Sequence, residues 1–190
     1  MDMKRFEKNE LIETQSATER IFEGRILKVY RDTVLLSDGQ ESTREIVKVA
    51  PAVAIIALQG ENLLLVRQYR YAVGSTVLEI PAGRLSPDES PIACAERELR
   101  EETGYAGRLR SLGHYQMSVG YSDEAIHFFW TTELAWNPLP LDEGEHLEVI
   151  AIPWSEALKK ATQGEFADSK TTMGILLTHY ARTALISDGV

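Results

Sequence analysis

The sequence has one cysteine, no long apolar run and no excess of basic residues, and each absence excludes a class of protein. Cys94 alone cannot form a disulfide within the chain, which argues against a secreted, disulfide-stapled scaffold and against a cysteine-rich zinc site. No run approaches the roughly 18 to 20 apolar residues that span a bilayer. The polar stretch from Met1 to Thr14 lacks the apolar core of a signal peptide. We therefore expect a cytoplasmic protein without a membrane partner.

The charge balance argues against nucleic acid as a partner. Twenty Lys and Arg face 29 Asp and Glu, a formal net charge of -9, so a polyphosphate would be repelled at long range unless cations intervene. Walker-type and dinucleotide-binding glycine loops are both missing from the sequence. The remaining composition, 44% hydrophobic and 26% charged over 190 residues, is that of a packed globular protein.

The pattern divides the chain into an N-terminal β unit, residues 1–49, and a larger domain, residues 50–190. In the first part, apolar-rich runs predict three short strands at 24–30, 32–36 and 43–49, with hairpin turn chemistry at 37–39. Three short strands make a poor core alone. The unit must therefore pack on the rest of the chain or on a second copy, which favours a homodimer.

After residue 50, strands and helices interleave irregularly, which predicts an α+β fold rather than a doubly wound parallel sheet. Strands are predicted at 52–58, 63–66, 77–80, 108–115, 127–132 and 147–152. Ser90 and Pro91 begin a helix that Gly104 ends. Two more helices are predicted at 154–163 and from Asp168 or Ser169 to about residue 185.

Two predictions concern which helix positions face inward. On the first helix, Cys94 is expected to be buried beside Ile92 and Leu99 as a small hydrophobe. On the last helix, the helical spacing predicts an apolar face made of Met173, Leu176, Leu177 and Tyr180.

The segment from residue 83 to 105 concentrates the chemistry. Gly83 is followed after five residues by Glu89, after seven more by Arg97-Glu98-Leu99, and then by Glu101-Glu102 and Gly104-Tyr105. On a helix Glu98 lies three positions before Glu101 and four before Glu102, which puts its Cβ atom roughly 5 to 6 Å from theirs on one face. An acidic helix face by itself is usually only solvated. Mg²⁺, however, takes oxygen ligands from one or two carboxylates, waters and substrate phosphates, and such a cluster suits it.

This spacing matches the Nudix box, G-x5-E-x7-R-E-U-x-E-E-x-G-U with U apolar, at every specified position. The segment therefore resembles the catalytic motif of a Nudix hydrolase, an enzyme that cleaves a nucleoside diphosphate linked to another group. Five further segments look like the ADP-ribose pyrophosphatase branch of that superfamily: 21–29, 44–47, 68–70, 79–83 and 142–145. The resemblance implies a Nudix α/β/α sandwich with a mixed sheet, preceded by a small antiparallel β unit that two protomers of a homodimer exchange.

The resemblance also implies a metal site. Mg²⁺, with Mn²⁺ as a substitute, would be held by the backbone carbonyl of Ala82 and by the side chains of Glu98 and Glu102. Glu101 would support them, and Glu145 would be an extra ligand. The box residues Gly83, Glu89, Arg97 and Gly104 would be structural, with Arg97 either positioning glutamates such as Glu89 or forming a simple surface ion pair.

The remaining roles concern the water and the substrate. Residues 141–148 hold four acids and no Lys or Arg, follow two prolines and are expected to form a loop. By resemblance Glu143 would be the general base, and Glu148 is a weaker alternate. Arg70 matches the phosphate-contacting arginine of the family. Other substrate contacts would be Arg67, which is equally readable as a surface charge, and Arg44 and Tyr30 of the exchanged unit.

The expected reaction is Mg²⁺-dependent hydrolysis of ADP-ribose to AMP and ribose 5-phosphate. One departure from the branch leaves the substrate open: the loop that usually carries Ser-Pro-Gly has Val119 in place of the proline. Proline would rigidify that loop, so its loss is compatible with a different sugar pocket. The alternatives are another nucleoside diphosphate derivative, such as GDP-mannose, NADH or FAD, or a non-catalytic nucleotide sensor.

Overall fold

The computed structural model describes residues 11–187, with side chains described for residues 11–184. The first ten residues of the predicted N-terminal unit and the last three residues of the chain lie outside this range. Contacts between Cα atoms divide the chain into two compact units. Within the described residues, one unit contains 11–50 together with 116–124, and the other contains 51–115 and 125–187.

The N-terminal unit is a three-stranded antiparallel sheet in the order β1 (Thr14–Glu23), β2 (Leu27–Leu35), β3 (Glu41–Val49). The small antiparallel β unit predicted from the sequence is therefore confirmed. Its details differ, since the sequence missed β1 and divided β2 into two runs. The residues of β1 are exposed along its whole length, so the strand carries no alternation of apolar and polar residues that would mark it.

Residues 116–124 contribute a turn to this unit. The Val47 N–H donates to the Tyr121 carbonyl at 2.7 Å, and the Val49 N–H donates to Asp123 Oδ1 at 3.1 Å. The N–H groups of Tyr121 and Ser122 both donate to the Ser118 carbonyl, at 3.1 and 2.9 Å. These bonds close the turn around Val119, which is 83% exposed, without a proline at that position.

The larger unit is built on a mixed sheet. Its strands are β4 (Ala52–Gln59), β5 (Asn62–Arg70), β6 (Ser75–Glu79), β7 (Ala82–Arg84), β9 (Arg110–Gln116), β10 (Ala125–Thr131) and β12 (Leu147–Pro153), while β8 (Tyr105–Gly107) and β11 (Leu134–Trp136) form a separate pair. The main order is β12-β5-β4-β10-β9. Strand β10 runs parallel to β4, whereas β5 is antiparallel to both β4 and β12. The mixed sheet expected for an α+β fold is confirmed.

Helices cover both faces of this sheet: α1 (Pro91–Thr103), α2 (Trp154–Gln163) and α3 (Ser169–Ser187). On one face Ile55 of β4 belongs to a buried cluster with Cys94 and Leu99 of α1. The next residue, Ile56, points to the opposite face because side chains alternate along a strand. There it meets α3 at Gly174, where an added Cβ would lie 3.2 Å from Ile56 Cδ1. The order helix, sheet, helix makes the sandwich.

The predicted burial of Cys94 beside Leu99 is confirmed, but the inward-facing placement of Ile92 and Tyr180 was wrong. Ile92 is 40% exposed, because the buried side of α1 is centred on Cys94, Ala95 and Leu99. Tyr180 is 72% exposed, and the buried positions of α3 are Thr171, Gly174, Ile175 and Thr178. Apart from Ile175, this face is formed by small residues, because the helix lies close to the sheet. Met173, Leu176 and Leu177 are only partly buried at its sides.

The sheet divides where the candidate site lies. Strands β4 and β5 pair only between Ala57–Gln59 and Asn62–Leu64. Beyond that point β5 pairs with β6 and β4 pairs with β7. The short link from Glu79 to Ala82 therefore passes through the opening between the two central strands. Among the residues that the structure describes, no helix is long and apolar enough to cross a membrane.

Candidate active site

Helix α1 presents the glutamates because its ends are well defined. Ser90 Oγ accepts a hydrogen bond from the Ala93 N–H at 3.3 Å, Pro91 occupies the first turn, and Gly104 closes the helix with φ +80°. The buried side of the helix includes two acids, Glu98 and Glu102, which are 8% and 5% exposed. One helical turn separates them, so both carboxylates project toward the same place.

Strand β7 meets these two carboxylates with its backbone. The Ala82 N–H donates to Glu102 Oε2 at 2.8 Å. A Cβ added to Gly83 would lie 1.9 Å from Glu98 Oε1, so no larger residue fits there without moving that carboxylate. The structure thus brings together Ala82, Gly83, Glu98 and Glu102, which the sequence placed on two different elements.

Arg97 donates hydrogen bonds to three acids of the box. Its Nε and Nη2 donate to the two oxygens of Glu89 at 2.9 and 3.0 Å, while Nη1 donates to Glu98 Oε1 at 2.7 Å and to Glu101 Oε2 at 2.8 Å. The hydrogen bonds from Arg97 outweigh desolvation and lower the pKa of Glu89 to about 2. Arg97 is therefore a tether for three carboxylates rather than a solvent-facing charge.

Burial disfavours the ionised forms of the two glutamates. Burial raises the pKa of Glu98 to about 7, although the charge and hydrogen bond of Arg97 oppose it. Burial likewise raises the pKa of Glu102 to about 8, against the hydrogen bond from Ala82, and the neighbouring charges of Glu98 and Glu145 add to the rise. A site that disfavours its own anionic form in this way gains from a bound cation.

The acidic loop brings one of its candidates close to this cluster. Desolvation raises the pKa of Glu145, and the charges of Asp142 and Glu101 raise it further while Arg70 opposes them. The loop turns at Gly144 with φ +85°, closed by the Glu145 N–H donating to the Asp142 carbonyl at 3.1 Å. Glu143 is exposed on the same turn.

Arg70, at the end of β5, is held by residues that sequence reasoning missed. Its Nε and Nη2 donate to Glu79 Oε1 and Oε2 at 2.7 and 2.9 Å. Lys170 of α3 donates to the same Oε2. Burial alone would raise the pKa of Glu79, but the Arg70 hydrogen bond and the Lys170 charge outweigh it and hold that pKa below its ordinary value. A lone acid inside the apolar strand 77–80 was the available signal, because a buried carboxylate needs a counter-ion.

The other predicted substrate contacts lie in ion pairs or aromatic contacts. Arg67 pairs with Glu148 across the β5–β12 register. In the N-terminal unit, Arg44 Nε donates to Glu13 Oε2 at 2.8 Å, and Lys48 Nζ lies 5.1 Å from the centroid of the Tyr30 ring.

The donor set fits a hard divalent cation. Carboxylates of Glu98 and Glu102 stand beside the Ala82 backbone, and oxygen ligands of this kind are those that Mg²⁺ and Mn²⁺ take. As the side chains are placed, no three His, Cys, Asp or Glu within the described residues form a group that could hold a metal ion. Arg97 donates to both Glu98 and Glu101, so a cation held by these carboxylates would replace those hydrogen bonds.

Two domain families and one solved structure match this chain. Residues 48–172 match the NUDIX domain, and residues 13–47 match the nucleoside diphosphate sugar hydrolase N-terminal domain. The chain is similar in fold to a solved structure titled as that of an ADP compounds hydrolase, with a TM-score of 0.83, 24% identity and coverage of 96% of this chain and 99% of that one.

Two curated relatives align over most of their length. An ADP-ribose pyrophosphatase of Bacillus subtilis is 40% identical over 169 residues, which are 87% of this chain and 91% of that protein. A methanol dehydrogenase activator of Bacillus methanolicus is 41% identical over 162 residues, 83% of this chain and 88% of that one. Together with the domain match and the intact box on α1, these similarities show that the chain belongs to the Nudix hydrolase family.

Proposed function

We propose that the protein hydrolyses the pyrophosphate bond of ADP-ribose, giving AMP and ribose 5-phosphate, with Mg²⁺ as its cofactor. The observation that carries the proposal is the pair of buried glutamates, Glu98 and Glu102, set against the backbone of Ala82 and Gly83 with Arg70 close by. Burial raises the pKa of both Glu102 and Glu145, and the charge of Arg70 opposes that rise in each. The similarity to an ADP-ribose pyrophosphatase supports the choice of substrate.

The chain's residues divide the work between binding and proton transfer. Glu98, Glu102 and the Ala82 carbonyl would hold the ions, with help from Glu101 and Glu145. When bound, divalent ions neutralise the diphosphate and lower the pKa of water. Arg70 would bind a phosphate oxygen, because a guanidinium pairs with phosphate in fixed geometry and stays charged. Arg67, and Arg44 and Tyr30 of the N-terminal unit, are further proposed substrate contacts.

Glu143 would accept the proton of the attacking water. Water adds across the P–O–P bridge: its oxygen bonds one phosphorus, the bridging oxygen leaves with the other phosphate, and one proton goes to the carboxylate. Its exposed position on a turn with a glycine at positive φ suits a group that must move over the diphosphate and release its proton to solvent.

We further propose a homodimer in which residues 1–49 are exchanged and residues 50–190 form the hydrolase domain. Support comes from β1, whose residues are exposed on both faces in a single chain, including Ile21 and Phe22 at 48% and 55%. A strand of this kind gains by being covered by a second copy. Light scattering on the purified protein tests this directly, and a monomer at all concentrations would contradict it.

A panel assay tests the function. The purified protein is incubated with Mg²⁺ and, in separate reactions, ADP-ribose, GDP-mannose, NADH and FAD, and the products are separated by chromatography. We expect AMP and ribose 5-phosphate from ADP-ribose at the highest kcat/KM. Faster cleavage of another compound would move the assignment to that substrate. Binding of one compound without turnover of any would instead establish a nucleotide sensor.

A further inference from the structure

The residues that hold Arg70 form a hydrogen-bond network that reaches from β5 to the start of α3. Arg70 and Lys170 share one oxygen of Glu79, and Glu79 is only 2% exposed. Lys170 also donates to Asp168 Oδ2 at 3.0 Å. Two cations and two carboxylates are thus joined, and the charges of the four groups cancel.

Residues at the start of α3 connect this network to the backbone that leads into the candidate site. Asp168 Oδ2 accepts from the Thr171 N–H at 3.0 Å and from Thr171 Oγ1 at 2.5 Å. Thr171 Oγ1 in turn accepts from the Ile80 N–H at 2.9 Å. Ile80 lies between Glu79 and the Pro81-Ala82 segment, so the same network holds both the tether of Arg70 and the backbone beside Glu102.

The sharing of Glu79 matters for Arg70. If Arg70 were the sole partner of a buried carboxylate, its charge would be fully compensated and its donors would be drawn to that partner. Because Lys170 also donates to Oε2, the carboxylate of Glu79 compensates the charge of Arg70 only in part. Arg70 can therefore still attract another anion. Both contacts to Glu79 use Nε and Nη2, and Nη1 donates no hydrogen bond to any residue that the structure describes.

We propose that Lys170 is a positioning residue for substrate: by sharing Glu79 with Arg70, it leaves the Nη1 edge of Arg70 directed to a phosphate oxygen of the diphosphate. The proposal rests on the proposed function for the identity of the substrate. Lys170 itself does not touch the substrate. Its side chain is 13% exposed and is occupied by Glu79 and Asp168.

Lys170→Met tests the proposal, with Lys170→Arg as the conservative variant. Without Lys170, Arg70 would be the sole cation paired with Glu79, so we expect KM for ADP-ribose to rise by roughly ten- to a hundredfold, with a smaller change in kcat. Lys170→Arg should recover most of the loss. Lys160→Met is the matched control, because it removes a lysine of α2 from its ion pairs with Glu156 and Glu165, and its KM should equal that of the unchanged protein.

A double variant separates action through Glu79 from a general charge effect. In a Glu79→Gln background the shared carboxylate is gone, so adding Lys170→Met should change KM by less than about twofold. An undiminished effect of Lys170→Met in that background would overturn the proposal, and so would an unchanged KM in the single variant. Thermal melting shows whether each variant is folded. If Lys170→Met is not, Glu79→Asp takes its place, since it shifts Arg70 while keeping both charges and should also raise KM more than it lowers kcat.

A binding measurement tests the role of Lys170 independently of whether ADP-ribose is the substrate. Calorimetric titration of inorganic pyrophosphate in Mg²⁺ needs no turnover. If the unchanged protein does not hydrolyse ADP-ribose, the proposed function fails. The positioning role of Lys170 is then tested by pyrophosphate binding alone. Weaker binding by Lys170→Met, restored by Lys170→Arg, supports it, whereas equal affinities for all three proteins contradict it.

Discussion

Gly83 lies directly against the carboxylate of Glu98, in the place where any other residue would carry its Cβ. The distance from an ideal Cβ to Glu98 Oε1 is 1.9 Å, and to Oε2 it is 2.4 Å, so both oxygens approach the glycine. The box glycine is thus required by the position of the glutamate rather than by its own backbone angles. This contact joins β7 to α1 where a cation is proposed to bind.

Gly83→Ala is expected to displace Glu98 and to reduce kcat/KM for the hydrolysed substrate by about tenfold or more, because small misplacements of catalytic groups cost up to about a hundredfold. Steady-state kinetics in Mg²⁺ measures the effect. Gly120→Ala is the matched control, since nothing lies within 4 Å of a Cβ added there. Equal losses in the two variants would show that the contact with Glu98 is not the cause.

Glu98→Gln is expected to lower turnover by about a hundredfold or more, since even outer partners of a metal are worth roughly 10- to 100-fold. The fold should persist, because the amide keeps the size of the side chain and relieves the charge repulsion with Glu102. The measurement pairs kinetics with calorimetric titration of Mn²⁺. Glu96→Gln, on the exposed side of the same helix, should behave like the unchanged protein. Unaltered activity of Glu98→Gln would remove it from the ligand set.

The two loop acids should separate in their kinetics. Glu143→Gln removes the proposed base, so kcat should fall by about 10² to 10⁴-fold with little change in KM. Glu145→Gln removes a proposed metal ligand near the cluster. The loss of activity in this variant should therefore become smaller as the Mg²⁺ concentration is raised. Metal titrations of activity for both variants check this. A pure KM effect in Glu143→Gln would exclude it as the base.

The metal-free protein should lose stability as pH rises from about 4.5 to 8. The pKa values of Glu98 and Glu102 are raised from 4.5 in the unfolded chain to about 7 and about 8 in the folded one. Over this interval the folded state binds more protons than the unfolded state, and its free energy of unfolding therefore falls with pH.

Added Mg²⁺ should oppose that loss increasingly toward high pH, because only ionised carboxylates bind it. Thermal melting across the interval, with chelator and with Mg²⁺, gives both curves. In Glu98→Gln the chelator curve should be flatter. A metal-free stability that rises through the interval would contradict the burial of these two charges.

Much of the candidate site could be predicted from the sequence because its signals are local. The cap at Ser90, the proline at 91 and the glycine at 104 define α1, and the spacing within one helix puts Glu98 beside Glu102. The mixed fold was also predictable, since buried strands appear in the sequence as apolar runs and helices are bounded by recognisable cap residues. Strand β1 was not, because an exposed strand has no buried face to record in its sequence.

The sequence by itself determined one helix with acids at fixed spacing, capped at both ends. Only the tertiary structure decided how those acids are held. The Ala82 backbone reaches Glu102 across 20 positions, and Lys170 reaches Glu79 across 91. Such partners lie on separate elements that packing alone brings together, and burial, which raises the pKa of the two glutamates, arises only when the sheet and helices close around them.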